Sequence, residues 1–311
     1  MKLALSTIAL GISLACACQV ASSQAITVTQ QGSGNTAAAE QVGLTPYDPQ
    51  GPLTTASITQ IGNNNHVGGP GATSSGVFQR DTNSGVTAVV SQNGTGNNAG
   101  ITQDGVRVYG RFDTSITQRG NGNDAAITQA IVTSSPVVVD QNGTGNVARV
   151  EQSLSGDTSV QTSQTGTGNR VTVVQRDGVY YGPKVTQTGD GNIASVITDS
   201  AYAAGPTIVQ TGTSNSASTV QSNGWDDSLT LRQEGSGNTA DVSQTGDGQA
   251  ADIRQIGNTN LASLIQTGAR NAATIAQIGS SNTATVSQAG EGYVANVNQT
   301  GSGNWTNVYQ H

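Results

Sequence analysis

From residue 233 to the end of the chain, small or apolar residues alternate with polar ones in short runs that restart every eleven positions. In TADVSQTGDGQ, residues 239–249, Ala240, Val242 and Gln244 fall at every second place, while Thr239, Asp241 and Ser243 take the places between. That is the period of a strand with one small or apolar face and one polar face. Between runs stand segments such as Gly235-Ser236-Gly237-Asn238, whose glycines supply the positive-φ positions of a tight turn. Each unit is one strand and one turn.

The glutamines mark the repeat. They stand at 233, 244, 255, 266, 277, 288, 299 and 310, and upstream the register continues through Gln92, Gln103, Gln118, Gln129, Gln141, Gln152, Gln164, Gln175, Gln187, Thr198, Gln210 and Gln221. From Gln141 to Gln233 the steps alternate between eleven and twelve. The fuller unit is Q-x-G-x-x-N-x-A-x-[VI]-x, as in Gln233, Gly235, Asn238, Ala240 and Val242. An eleven-residue period also suits a right-handed coiled coil. One or two glycines per unit, at roughly 1 kcal/mol each relative to alanine, exclude that helix.

A single arc buries nothing, but two arcs make a flattened coil of 22 or 23 residues whose strands face each other, and stacked coils complete a core. The predicted fold is all-β: a β-solenoid of about 12 two-strand coils built from 11-residue arcs, which at ~4.8 Å per coil is a rod of about 58 Å. One edge is expected to be uniform (Gly143-Thr144-Gly145-Asn146) and the other variable (SLSGDTSV, RDGVYYGPK). Residues 92–311 read as the regular solenoid and 24–91 as irregular arcs. The Pro/Gly-rich stretches GLTPYDPQGP and GGPGATSSG must loop out of any strand stack.

An inward glutamine loses its hydrogen bonds to water, at a cost of about 1 to 3 kcal/mol if nothing replaces them. When the amide recurs in every coil, each side chain donates to one neighbour and accepts from the other, in a ladder. A slip of one residue would bury Asp241 or Arg254 and expose Val242 or Ile253, so the pattern also holds the register. The last unit, GSGNWTNVYQH, keeps the repeat almost to its final residue, and the expectation is a rod with open strand edges at both ends.

Composition agrees with a repeat rather than a globular core: 41 glycines, 2 Phe and 34% apolar residues. With 10% charged residues and a net charge of −7, neither a basic nucleic-acid surface nor an acidic tail is present, and no nucleic-acid partner is expected. Residues 1–23 read as a secretory signal peptide: Lys2, the apolar run LALSTIALGISLACAC, then Ala21-Ser22-Ser23, with cleavage there or after Ala25. Neither Cys16 nor Cys18 has the leucine three residues earlier that a lipoprotein site usually carries, and the mature chain keeps no cysteine for a disulfide.

Candidate chemistry is thin. Gly189 to Ala194 satisfies the dinucleotide fingerprint, but so does Gly143 to Ala148, and a phosphate turn needs one copy feeding a helix. Asp226-Asp227 beside Trp225 invites comparison with polysaccharide-cleaving β-helices, yet adjacent acids in a wide turn are expected to be solvated. His66 and His311 are distant in sequence and the calcium-binding nonapeptide is absent. No catalytic residue, metal site or cofactor is expected. Asp190, Asp247 and Asp252 read as charged gatekeepers against premature aggregation. Tyr180, Tyr181, Tyr202 and Trp225 gather on the variable edge, as loop packing or as an adhesive face. An ice-binding array would need aligned Thr-x-Thr. The positions before each glutamine, Arg232, Ser243, Arg254 and Ile265 among them, form no such row.

With its spaced Gln, Gly, Asn, Ala and closing Gln, the unit resembles the curlin repeat of secreted bacterial amyloid subunits over most of residues 92–311, with islands at Gln30 to Gln41 and around Gln60. The resemblance implies a structural, non-enzymatic subunit, exported unfolded, that polymerises with itself into an extracellular fibre on the cell surface for biofilm matrix and adhesion. It implies as partners a nucleator or companion curlin subunit and an outer-membrane curli-type secretion machinery, with abiotic or glycan surfaces as candidate adhesion targets. Carried over by position, the stacking residues are Gln233, Asn238, Gln244, Gln255, Asn260, Gln266 and Asn271, followed by Gln277, Asn282, Gln288, Gln299, Asn304 and Gln310. The chain departs from the family in having more coils than is common and a shorter segment before the first repeat. A monomeric β-solenoid adhesin or stalk with protected ends is the alternative reading.

Overall fold

Each arc becomes one strand, and successive strands alternate between two sheets. The computed structural model describes residues 24–43, 54–68, 76–83, 85–108 and 112–311. The signal-peptide reading, and most of the two Pro/Gly-rich stretches, lie outside the described residues.

The first sheet has twelve strands, from Gln24–Gln31 at one end to Val294–Ser302 at the other. The second runs from Thr36–Ala37 to Trp305–Gln310 and has fourteen, because its path is split early: Ala39–Val42 and Val77–Arg80 pair beside Thr36–Ala37 and His66–Val67. All pairs are parallel and join strands one coil apart, as Leu231↔Ile253 and Gln233↔Gln255 in the first sheet and Val242↔Leu264 and Gln244↔Gln266 in the second. Among the described residues, twelve strands per sheet along the main path agree with the expected β-solenoid of about 12 coils.

Coil length follows the edges. Stacked glutamines are 23 residues apart from Gln118 to Gln233 and 22 apart beyond it. In the first coils the spacing is 30 and 32, the excess falling in the Pro/Gly-rich stretches. The irregularity of residues 24–91 thus lies in coil length and in the split second strand, while the pairing register already matches Gln30↔Gln60 and Gln60↔Gln92.

Burial alternates along every regular strand. In Ser228–Ser236 the side chains of Leu229, Leu231 and Gln233 are buried and those of Ser228, Thr230 and Arg232 exposed. Inward residues of the two sheets meet in one apolar column that extends from Ala56 to Val297 through Ile116, Val139, Ile208, Leu231, Ile253 and Leu264. A small second cluster, Val86, Val106, Val108 and Val132, fills the variable edge of the early coils.

The uniform edge is set by two glycine columns. The first, including Gly143, Gly166, Gly189 and Gly212, has φ between +106° and +137°. A Cβ on Gly166 would collide with the carbonyl oxygen of Gly189 in the next coil. That column is closed to any side chain. The second includes Gly145 and Gly168 at φ +65°, which have open space around them, and takes Asn64, Ser214, Thr259 and Ser281 in equivalent places.

Candidate functional site: the amide ladders and the coil ends

Inside the first sheet the glutamine column is unbroken. Each Nε2 donates to the Oε1 one coil further on, from Gln30 to Gln60, Gln60 to Gln92, Gln92 to Gln118 and onward to Gln299. The predicted residues are its last rungs: Gln233 to Gln255, Gln255 to Gln277 and Gln277 to Gln299, all at 2.9 Å. The second amide hydrogen of each meets a backbone carbonyl: Ser216 for Gln233, Thr239 for Gln255 and Leu261 for Gln277. These side chains are buried yet fully satisfied as donors.

The second sheet carries a parallel column with one fault. Gln41, Gln79, Gln103, Gln129, Gln152 and Gln175 are linked in sequence, and Gln221, Gln244, Gln266, Gln288 and Gln310 form a second run at 2.8 to 2.9 Å. Between them stands Thr198, paired Gln175↔Thr198↔Gln221 in the strand register. Its hydroxyl is too short to bridge. Thr198 Oγ1 and Gln221 Oε1 are both buried without a partner, and Gln175 Nε2 reaches only the Tyr181 carbonyl, at 3.4 Å.

On the uniform edge the asparagines form a third column, from Asn35 to Asn304. Each Oδ1 accepts from the next coil's backbone N–H and, from Asn97 onward, from its Nδ2, while Nδ2 also donates to the turn glycine's carbonyl one coil on. Asn238, Asn260, Asn282 and Asn304 are linked this way at 2.9 to 3.0 Å. Asn271 stands apart from them on the opposite edge, where it donates to the Thr267 and Gly290 carbonyls and accepts from the Tyr293 N–H. Sequence reasoning grouped it with the others because eleven-residue arcs look alike. Alternate arcs in fact belong to different edges.

The variable edge is more ordered than its sequence suggests. A row of single parallel bridges, Arg107↔Thr133↔Gly156↔Val179↔Tyr202↔Trp225, crosses six coils. It is bracketed by residues in left-handed conformation, such as Ser200 and Ala203, then Asn223 and Asp226. Tyr202 and Trp225 stack with ring centroids 5.5 Å apart and planes 20° apart, while Tyr180, Tyr181 and Trp225 remain exposed. Beyond Trp225 the edge tightens into a glycine turn like that of the uniform side, with Gly246 at φ +99° and Gly248 at +65°.

One expectation fails here. Asp226 and Asp227 were to be solvated together, but only Asp226 is exposed. Asp227 is buried, accepts the Gln249 N–H at 2.8 Å through Oδ1, and has no partner at Oδ2. Burial pushes its carboxyl up to about 6, with Asp247 and Asp226 adding like charge. The signal was present in the register, because Asp227 lies 22 residues before Gln249 and 44 before Asn271, in a buried amide column. Asp190, Asp247 and Asp252 are exposed. Surface ion pairs between coils, such as Arg119–Asp140 at 3.2 Å and Arg176–Glu151 at 3.9 Å, are solvated and contribute little.

The molecule is therefore a parallel β-solenoid whose interior is held by amide ladders. Residues 224–257 and 257–290 match the model of the curlin associated repeat. No curated protein matches the chain.

Proposed function

We propose that this chain is a structural subunit of an extracellular, curli-type amyloid fibre that grows by end-to-end stacking of solenoid coils, in biofilm matrix and surface adhesion. The observation that carries the reading is the state of the end coils. No rung precedes Gln30, Asn35 or Gln41 among the described residues, and after Gln299 the Nε2 turns to Thr306 Oγ1 of its own coil. The two ends match in register: Val297, Gln299, Asn304, Val308 and Gln310 would follow into Val28, Gln30, Asn35, Ala39 and Gln41 of a second copy. Ile26, Val28, Ala37, Ala39 and Val308 are only partly buried at these ends. The curlin repeat supports the same reading, and its implication is a non-enzymatic protein. Export as an unfolded chain through an outer-membrane secretion pore, and a nucleator or companion curlin subunit, complete the proposal. Lys2 with the apolar run to Cys18 supports the exported location.

X-ray fibre diffraction with thioflavin T kinetics on mature protein diluted from denaturant tests it. The expected result is a ~4.7 to 4.8 Å meridional reflection and growth that can be seeded. A monodisperse β-rich monomer that never seeds would instead support the adhesin or stalk. Replacing Gln244, Gln266 and Gln288 with leucine removes the donors to the Ser228, Ala250 and Ala272 carbonyls and four rungs. At about 1 kcal/mol or more per orphaned group, seeded growth should slow by at least roughly tenfold. Unchanged kinetics would sink the ladder argument.

A further inference from the structure

On the variable edge a carboxyl occupies a place built for an amide. Asn271 and Gln249 join successive coils in the same way: the side-chain N–H donates to the glycine carbonyl nineteen positions on, Gly290 at 3.1 Å and Gly268 at 2.8 Å, and to the carbonyl four back, Thr267 and Thr245. Asn238 on the opposite edge does likewise, to Gly257 and Glu234. Asp227 is the preceding member of the Gln249 column. Its Oδ1 plays the acceptor's part toward the Gln249 N–H. Its Oδ2 stands where the column's donor belongs, buried and unpartnered. Nineteen positions on is Gly246, and a Cβ on Gly224 would collide with both Asp227 Oδ2 and the Gly246 carbonyl oxygen, so the two oxygens converge on one small space. Beside the Gly224 α-carbon these two acceptors share that space, and no N–H or O–H reaches Oδ2 unless the carboxyl brings its own.

We propose that Asp227 is a proton-binding site that closes this coil joint: protonated, it donates Oδ2–H to the Gly246 carbonyl as asparagine would, and ionised, it sets a buried carboxylate against that oxygen and loosens the joint. The proton comes from solvent and returns to it. The joint is also where the bridged edge stops, Trp225 being its last member, and where 23-residue coils give way to 22-residue ones. The charged groups acting on Asp227 are Asp247 in the following coil and Asp226 beside it, both acids. In the preceding coil Ala204 occupies the register place of Asp227, and titratable Tyr202 stacks on Trp225. The folded carboxyl titrates higher than the free one, from 3.8 up to about 6. The stabilisation it gives is therefore full below the ordinary carboxylate value and is lost as pH rises through about 6.

Hydrogen exchange of the full chain from pH 4 to 8, corrected for intrinsic rates, reads the joint directly at the Gly246, Gly248 and Gln249 amides. In the wild type their protection should fall by up to about a hundredfold across that range, the two-decade difference between the folded and free carboxyl. Asp227→Asn, which carries its own donor, should stay protected at pH 7 with a flat profile. Asp247→Asn should keep the transition but move it to lower pH. Parallel profiles for wild type and Asp227→Asn, or weaker protection in Asp227→Asn at pH 7, overturn the proposal. The reading is taken within one chain, so a protein that never polymerised would test it equally well.

Discussion

Thr198 and Thr219 depart from their columns in opposite ways. Thr198 replaces an amide and leaves a gap in the second-sheet ladder, whereas Thr219 stands among Val196, Val242 and Leu264 in the apolar column and buries a hydroxyl without a partner. The remedies differ accordingly. Thr198→Gln would give Gln175 Nε2 an acceptor and Gln221 Oε1 a donor, and should raise unfolding stability by roughly 1 to 3 kcal/mol. Thr219→Val keeps the shape and removes the orphan, and should add roughly 1 kcal/mol. Denaturant midpoints at constant slope measure both. A loss of stability in Thr198→Gln would mean that the gap is filled by something other than a missing rung, an ordered water being the chemical equivalent. What the chain revealed at this scale was the column, because one amide recurring every eleven residues is a pattern. What it hid was the cost of each exception, since Thr198 reads as a mild substitution until Gln175 and Gln221 are seen to depend on it.

At the level of the strand and its turns, the alternation of Ala240, Val242 and Gln244 against Thr239, Asp241 and Ser243 was enough to foresee which face is buried, because period two leaves no other choice once one face carries charge. The edges were less legible. Loops such as SLSGDTSV and RDGVYYGPK share no residue pattern, and their bridges depend on backbone geometry at left-handed residues like Leu154, Asp177 and Tyr180. This is also why Asp227 was misplaced: the local residues Asp226-Asp227 do not say which acid turns inward, and only the 22-residue step to Gln249, across a corner that the bridge at Trp225 orients, picks out Asp227. The two glycine columns of the uniform edge look interchangeable in sequence and differ in space. Gly166→Ala should therefore cost about 1 to 3 kcal/mol, since its φ is +118° and the Gly189 carbonyl blocks a Cβ. Gly168→Asn, at φ +65° with nothing within 4 Å, should stay within roughly 0.5 kcal/mol of wild type. Thermal unfolding of the pair distinguishes them, and equal losses would refute the distinction between the columns.

For the whole rod, the direction of the ladders matters more than their number. Every glutamine rung donates toward the C-terminal coil, from Gln30 to Gln60 at one end and from Gln277 to Gln299 at the other. Parallel strands and one-way donors make the two ends unlike, so copies can continue the ladders only head to tail, and a fibre made from them is polar. Such a fibre can be stopped at one end alone. Val308 and Gln310 lie half-buried on the last strand, where a lysine can reach water in the free chain but would be sealed in by a following copy. The double variant Val308→Lys, Gln310→Lys should keep its β-sheet spectrum, add to a fibre through its N-terminal coil, and then refuse the next subunit, because burying an unpaired ammonium costs several kcal/mol. Mixed at low ratio with wild type and labelled seeds, it should leave elongation visible by microscopy at one end only. Growth continuing equally at both ends would exclude head-to-tail stacking through these coils, even if fibres form.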